Sequence, residues 1–353
     1  MKILRKITIF MLIILMIVAQ VQISANQSRV LAASNIDTEN KNTIDAGVLL
    51  YSFDDLYMSQ IKQNLEDIQK NKNRVNFTFF DSKYNPAIQN EILNSLFNSN
   101  FRLLILNLIN PNKDVLTDVI NKAKQKGISL IIFNIDPANV SQISGLYNKV
   151  AFITTDSKQL GTLQGKILID EWNSNKNIID KNNDNVLQYI VLEGDPSTPF
   201  TKERTDSSIS EIKNAGIKTQ ELDHKTAFWD RDLAEIATEP LLLKYNGTIE
   251  AIISNNDSMA IGAVSALQKY GYDKGDKSKY IPVVGIDGLP EARNLIDKGM
   301  MTGTVSQALD IVAESIYNVG INLASNENPQ VNENYKFING NIVITAPYQI
   351  YTK

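Results

Sequence analysis

The chain of 353 residues contains no cysteine, one histidine (His224) and a formal net charge of -4. Disulfides, thiolate metal centres, cysteine nucleophiles and a lipid-modified cysteine are excluded, the single imidazole removes most His-ligated zinc and Ser-His-Asp chemistry, and nothing indicates a nucleic-acid surface. At 43% hydrophobic and 21% charged residues, the composition is that of a globular chain long enough for two cores.

Lys2, Arg5 and Lys6 precede an unbroken apolar run from Ile9 to Ala19, and small residues follow at Ser24-Ala25 and Ala32-Ala33-Ser34. Residues 1–33 therefore read as an export signal, or, extended from Ile7 through Val21 and Ile23, as a marginal membrane anchor. Residues 34–43 are polar and aperiodic, as expected of a flexible segment. A strand–helix rhythm then begins. Ala46–Tyr51 is an apolar strand. Met58, Ile61, Leu65 and Ile68 recur at helical spacing. Val75–Phe80 reads as a strand, Ile88–Leu96 as a helix and Leu103–Asn107 as a buried strand. Val115–Lys124 is a helix closed by Gly127. Leu130–Asn134 and Val150–Thr154 are further buried strands. The second half repeats the pattern. Helices are expected at Gln159–Glu171, Thr205–Asn214, Arg231–Lys244 (with a kink or break at Pro240), Met259–Tyr270 and Glu291–Lys298. Strands are expected at Leu187–Glu193, Lys218–Leu222, Ala251–Ser254 and Pro282–Ile286.

Alternating strands and helices imply parallel sheets covered on both faces, with ligands bound beyond the carboxyl ends of the strands. Asp54-Asp55, Asn107 and Asn134 close or follow strands, although Asn and Asp also simply favour such turns. No phosphate-cradling glycine loop, Gly-x-Ser-x-Gly or His-Glu-x-x-His is present, so no enzyme is expected. Planar carboxylates and amides can pair with neighbouring sugar hydroxyls, and Phe228-Trp229-Asp230 offers a flat apolar face.

One stretch carries a metal-ligand spacing. Asp180, Asn182 and Asp184 alternate, Val186 supplies a backbone carbonyl, and Gln188 follows, as in the front of an EF-hand loop. Asn185 occupies the usual glycine turn, which asparagine tolerates. Val191 stands where a bidentate glutamate belongs, so a further carboxylate would have to come from elsewhere in the fold. A solvated Asn/Asp loop is the other reading.

The strand-end motifs resemble those of the galactose/glucose-binding group of the type I periplasmic binding protein family. They comprise the run Gly47–Ser59 with its Tyr-Ser-Phe-Asp-Asp, Ile131-Ile-Phe-Asn-Ile-Asp-Pro137, Thr155-Asp-Ser-Lys158, Ala227-Phe-Trp-Asp230, Ser254-Asn-Asn-Asp-Ser-Met-Ala260 with Gly262-Ala-Val264, and Pro282-Val-Val-Gly-Ile-Asp-Gly-Leu-Pro-Glu-Ala292. The resemblance covers about residues 44–351. It implies an α/β architecture of two Rossmann-like lobes joined by three hinge crossovers near Thr155, Gln307 and Asn339. The lobes would then be 44–154 with 308–338, and 155–307 with 339–353. By position, Asp55, Asn134, Arg204, Asn256 and Asp287 match sugar-binding residues, and Tyr57 and Trp229 match the aromatic faces around the sugar. Glu250 matches the glutamate that completes a structural Ca2+ site with Asp180, Asn182, Asp184, Val186 and Gln188. Thr198 and Phe200 stand where the family has a sugar-contacting His and Asp, and Gln307 stands in place of an Asn. Each lost polar partner would cost roughly 1.5–3 kcal/mol if ligand hydroxyls were left unpaired, so a related aldose is expected, such as a pentose or a deoxy or substituted hexose. The resemblance implies an exported monomer, periplasmic or at the cell surface. Its partners would be a monosaccharide and an ABC permease, or alternatively a sensor kinase or chemoreceptor.

Overall fold

The structure, a computed structural model, describes residues 43–276, 279–325 and 335–353. The expected export signal or anchor at 1–33 lies outside these residues, and so does all but Thr43 of the segment that follows it. No described helix is long and apolar enough to cross a membrane. The chain from Ile44 onward forms one unit built on two sheets.

The first half runs β1 (Ile44–Leu50), α1 (Leu56–Lys72), β2 (Val75–Asp81), α2 (Pro86–Phe97), β3 (Leu103–Leu106), α3 (Lys113–Lys126), β4 (Ser129–Ile135), α4 (Pro137–Ile143) and β5 (Val150–Thr154). The second runs α5 (Ser157–Ile179), β6 (Val186–Glu193), α6 (Pro199–Asn214), β7 (Lys218–Thr226), α7 (Arg231–Tyr245), β8 (Ala251–Ser254), α8 (Asp257–Lys269), β9 (Val283–Asp287), α9 (Pro290–Asp297) and β10 (Gly303–Ser306). Then come α10 (Leu309–Ser325), β11 (Tyr335–Ile338), β12 (Asn341–Thr345) and β13 (Gln349–Thr352).

Local chemistry explains most of these boundaries. The Asp55 side chain accepts the Met58 amide and caps α1, whose buried face includes Met58, Ile61, Leu65 and Ile68. Gly127, at φ 70°, ends α3 in a left-handed cap. β3, β5 and β9 are buried along their whole length, as parallel strands covered on both faces must be.

The seven-stranded sheet has the order β11-β12-β5-β4-β3-β1-β2, and the six-stranded sheet has the order β13-β10-β9-β8-β6-β7. All pairings are parallel except β11–β12 and β10–β13. The two lobes and the α/β class are as the sequence implied. Two details differ. Pro240 does not break α7, which runs through it. The carbonyl deprived of a partner belongs to Ile236, a residue 66% exposed, so water can satisfy it. The third crossover is not near Asn339. Asn339 (φ 48°) and Gly340 (φ 84°) form the two-residue turn of the β11–β12 hairpin, and β12 pairs parallel with β5. The first lobe therefore keeps the chain through Thr345, and the crossover falls between Thr345 and Gln349.

Strand order reverses between β1 and β3 in one sheet and between β6 and β8 in the other. These are the switch points where adjacent loops part and leave a crevice. The chain reaches them with Tyr51–Asp55 and Asn107 in the first lobe, and with Gly194–Thr198 and Asn255-Asn256 in the second.

Candidate functional site

A cavity with an empty volume of about 630 Å³, including its open mouth, lies between the two switch points. Asp55, Tyr57, Asn134, Thr198, Phe200, Arg204, Trp229, Asn256, Asp287 and Gln307 all line it, so every residue matched to a sugar contact reaches one space. Tyr51, Tyr84 and the segment Asn107–Pro111 also line it. Of these, only Asn107 carried a signal, as a strand-ending amide. The ring positions of Tyr51 and Tyr84 follow from loop geometry that spacing does not encode.

Each side chain is aimed by its element. Asn134 has φ 55° and interrupts the β4–β5 register between Phe133 and Ile135. Asn256 caps α8 by accepting the Met259 amide at 2.9 Å, and its Nδ2 donates to the Trp229 carbonyl at 3.4 Å. Trp229, at φ 67°, lies directly over Gly194, where an added Cβ would fall 2.1 Å from indole Cε2. Only glycine permits that approach. Thr198 holds the N-cap position of α6 without capping it, and its hydroxyl bonds the Asp195 carbonyl at 3.0 Å. Phe200 is 9% exposed, yet it belongs to none of the hydrophobic clusters of the core. Its ring serves the cavity.

The charges are set for a polar guest. Arg204 Nη1 donates to the Asn255 carbonyl at 2.8 Å, its guanidinium lies 5.4 Å from the centre of the Trp229 ring, and its buried Nε has no partner. Burial pushes Asp55 above the usual carboxylate range, against the pull of a Tyr51 hydrogen bond, the Met58 and Tyr57 amides and the Arg204 charge. Burial pushes Asp287 well above that range too, with Arg204 opposing and Asp257 and Asp55 adding to the rise. Gln307 Nε2 donates to Asp287 Oδ1 at 2.7 Å. The result is a space lined by buried carboxyl and amide groups, an unsatisfied guanidinium donor and a flat indole face.

The loop between α5 and β6 lies apart from this cavity. Asp180 accepts the amides of Asp184 and Asn185 at 3.0 and 3.1 Å, and Asn185 takes the left-handed turn at φ 61°. Glu250 reaches the loop from just before β8, accepting the Lys181 amide at 2.7 Å and the Gln188 amide at 3.0 Å. Burial raises its pKa, the two amides oppose that rise, and Asp180 and Asp184 add to it. Asn182 Nδ2 and Gln188 Nε2 both donate to Asp184 Oδ2 at 2.8 Å, and the buried Gln188 Oε1 has no partner. Among the described residues, no three acidic or histidine side chains stand in a metal-holding group. The donors gathered at the loop are nevertheless all oxygens or amides that a half-turn makes oxygens, the set that suits a hard cation.

A profile of the periplasmic binding protein domain matches residues 46–328. The D-galactose/methyl-galactoside binding periplasmic protein of Haemophilus influenzae is 31% identical over 86% of this chain and 87% of its own. The D-allose-binding periplasmic protein of Escherichia coli is 28% identical over 74% of this chain and 78% of its own. Among solved structures, an ABC transporter solute binding protein of Bacillus halodurans with bound myo-inositol superposes with a TM-score of 0.69 at 22% identity, covering 89% of this chain and 96% of that one.

Proposed function

The chain belongs to the periplasmic binding protein domain family, whose members are solute-binding proteins and not enzymes, and we propose that it is an exported receptor that closes on a monosaccharide and delivers it to an ABC permease. The cavity carries this reading: both switch points empty into it, and it combines buried carboxylates, an unpartnered Arg204 Nε and the Trp229 face. Asp55, Asn134, Asn256 and Asp287 would pair with neighbouring ring hydroxyls, Arg204 would donate to a ring or hydroxyl oxygen, and Tyr57 and Trp229 would cover the apolar C–H faces. A ligand touching both lobes binds the closed form better than the open one, and that differential affinity drives closure.

Galactose and methyl-galactoside are the ligands in the name of the Haemophilus relative. For this chain a related aldose with an apolar edge is the better fit, because Phe200 turns a buried aromatic ring to the cavity instead of a polar group. Titration calorimetry with D-galactose, methyl-galactoside, D-glucose, D-allose, D-ribose and 6-deoxy-galactose tests both levels. Saturable one-site binding of at least one sugar is expected, with a deoxy or substituted sugar tightest. No binding across the panel would defeat the sugar reading, and ordinary tight binding of unmodified galactose and glucose would defeat the altered specificity.

A structural calcium in the second lobe is part of the same proposal. Asp180, Asn182, Asp184, the Val186 carbonyl, Gln188 and Glu250 would hold it. When bound, it would neutralise the converging carboxylates and fasten the α5–β6 loop to the start of β8, away from the sugar.

A further inference from the structure

We propose that Tyr84 is a positioning residue that ties occupancy of the cavity to closure of the lobes. The proposal rests on the cavity being the ligand site. The loop between β2 and α2 turns through two consecutive left-handed residues that carry a Cβ, Lys83 and Tyr84, both at φ 51°. Such a pair persists only when its surroundings fix it. Here the Tyr84 amide donates to the Tyr51 carbonyl at 2.7 Å, and the Lys83 amide donates to Asp81 Oδ1 at 2.8 Å. The turn sets the Tyr84 ring on the cavity wall, edge-on to Tyr51 with 5.6 Å between centroids.

The Tyr84 hydroxyl reaches the opposite lobe. It donates to the Asp195 carboxylate, and the Trp229 indole lies near enough to pull the hydroxyl's pKa down against the rise from burial. Among the described residues, the Tyr84–Asp195 bond is the one hydrogen bond between side chains of opposite lobes. Asp195 is prepared to accept. Partial burial pushes its pKa up, but the bonds from Tyr84 and Ser197 outweigh burial and hold it below the usual range. On the near side, Tyr51 hydrogen-bonds Asp55. A contiguous line therefore runs from Asp55 through Tyr51 and Tyr84 to Trp229 and Asp195.

A sugar stacked on Trp229 fixes the indole beside Tyr84, and opening the lobes must break the Tyr84–Asp195 bond. Capture begins with the lobes apart, before this bond exists. The contribution of Tyr84 therefore falls on release and on the closed population, not on encounter.

Two measurements test this. Because the chain has no cysteine, labels on Lys113→Cys and Lys202→Cys, one exposed site per lobe, report lobe separation without competing thiols. In the ligand-free labelled chain, Tyr84→Phe should shift the distance distribution to longer separations. In stopped-flow with D-galactose, it should speed dissociation about tenfold or more, the scale of losing a charge-assisted hydrogen bond, and leave association within about twofold. Asp195→Asn makes the same lesion from the other lobe without touching the strained loop. The double variant should then be no worse than the worse single variant, the mark of a shared interaction. Unchanged separations with unchanged dissociation, or additive effects in the double variant, would overturn the proposal. Where D-galactose does not bind, the tightest sugar of the calorimetry panel takes its place in the stopped-flow; if all six sugars of that panel fail to bind the unmodified chain, the sugar reading falls. The label distances then decide the latch alone: equal separations overturn it and longer ones in Tyr84→Phe sustain it.

Discussion

Arg204 is the one cation facing Asp55 and Asp287 among the described residues that line the cavity, and both carboxyls titrate above their usual range because they are buried. Arg204→Gln leaves them without a counter-charge and removes the orphan donor. Sugar affinity should fall on the order of 10- to 100-fold, the scale of a hydrogen bond to a charged group, and calorimetry reads it directly. A second buried carboxyl makes a contrasting prediction. Burial raises Asp273 from an ordinary 3.8 to about 7, against a backbone hydrogen bond from Ile281 and the Lys181 charge, and its Oδ2 has no partner. Between about pH 4 and pH 7 the folded chain keeps a proton that the unfolded chain has released. Stability therefore falls as pH rises through that window and levels off above it. Asp273→Asn keeps the bond from the Ile281 amide and removes the charge. It should flatten this part of the urea-denaturation profile, raise stability at pH 8 and leave sugar affinity unchanged. Asp55, Glu250, Asp257 and Asp287, which burial also raises, would keep their own slopes. Such roles were legible in part. Asp55, Asn256 and Asp287 stand at strand ends where chemistry is expected, whereas nothing in the spacing of Tyr51 and Tyr84 places their rings in the cavity.

The elements show why some residues are fixed by what passes over them. At Gly194 an added Cβ would lie 2.1 Å from the Trp229 indole, so Gly194→Ala must expel the ring from its seat. We expect a folded protein with a stability loss of about 1–3 kcal/mol, the usual cost of overpacking, and sugar binding weakened well beyond that of a matched control. Gly127→Ala is the control: φ is 70° with nothing within 4 Å, so it should cost about 1–2 kcal/mol through backbone strain alone and leave affinity intact. Chelation tests the α5–β6 loop at the same scale. EDTA should lower the melting temperature and restored calcium should raise it again, without changing sugar-linked closure. A melt indifferent to chelator would leave Asp180–Gln188 a hydrogen-bonded turn. The periodic helices and the apolar parallel strands could be read from the sequence because one physical signal, burial, dominates them. The β11–β12 hairpin could not, because an Asn-Gly pair marks a turn without saying which sheet the strand after it joins. Nor could continuity through Pro240, which depends on solvent reaching the Ile236 carbonyl.

At the scale of the whole molecule, the two sheets are interleaved along the chain rather than arranged one after the other. The first sheet ends with β12 (Asn341–Thr345), and the second ends with β13 (Gln349–Thr352) paired antiparallel to β10. Removing residues 346–353 should therefore damage only the second lobe, by baring the edge of β10, while removing residues 309–353 should cripple both. Limited proteolysis of the two truncations would show protected first-lobe fragments in the former alone. The same interleaving has a consequence for biosynthesis. A ribosome that has translated as far as Ser306 has made every helix facing the second sheet and all of the first ten strands, yet neither lobe is closed. The first still lacks α10 and β12, and the second lacks its last edge. Pairing β12 with β5 spans nearly two hundred residues, from Ile342 back to Ala151, and such distant closures are slow. Neither half can therefore complete its fold until the strands that follow α10 have been made.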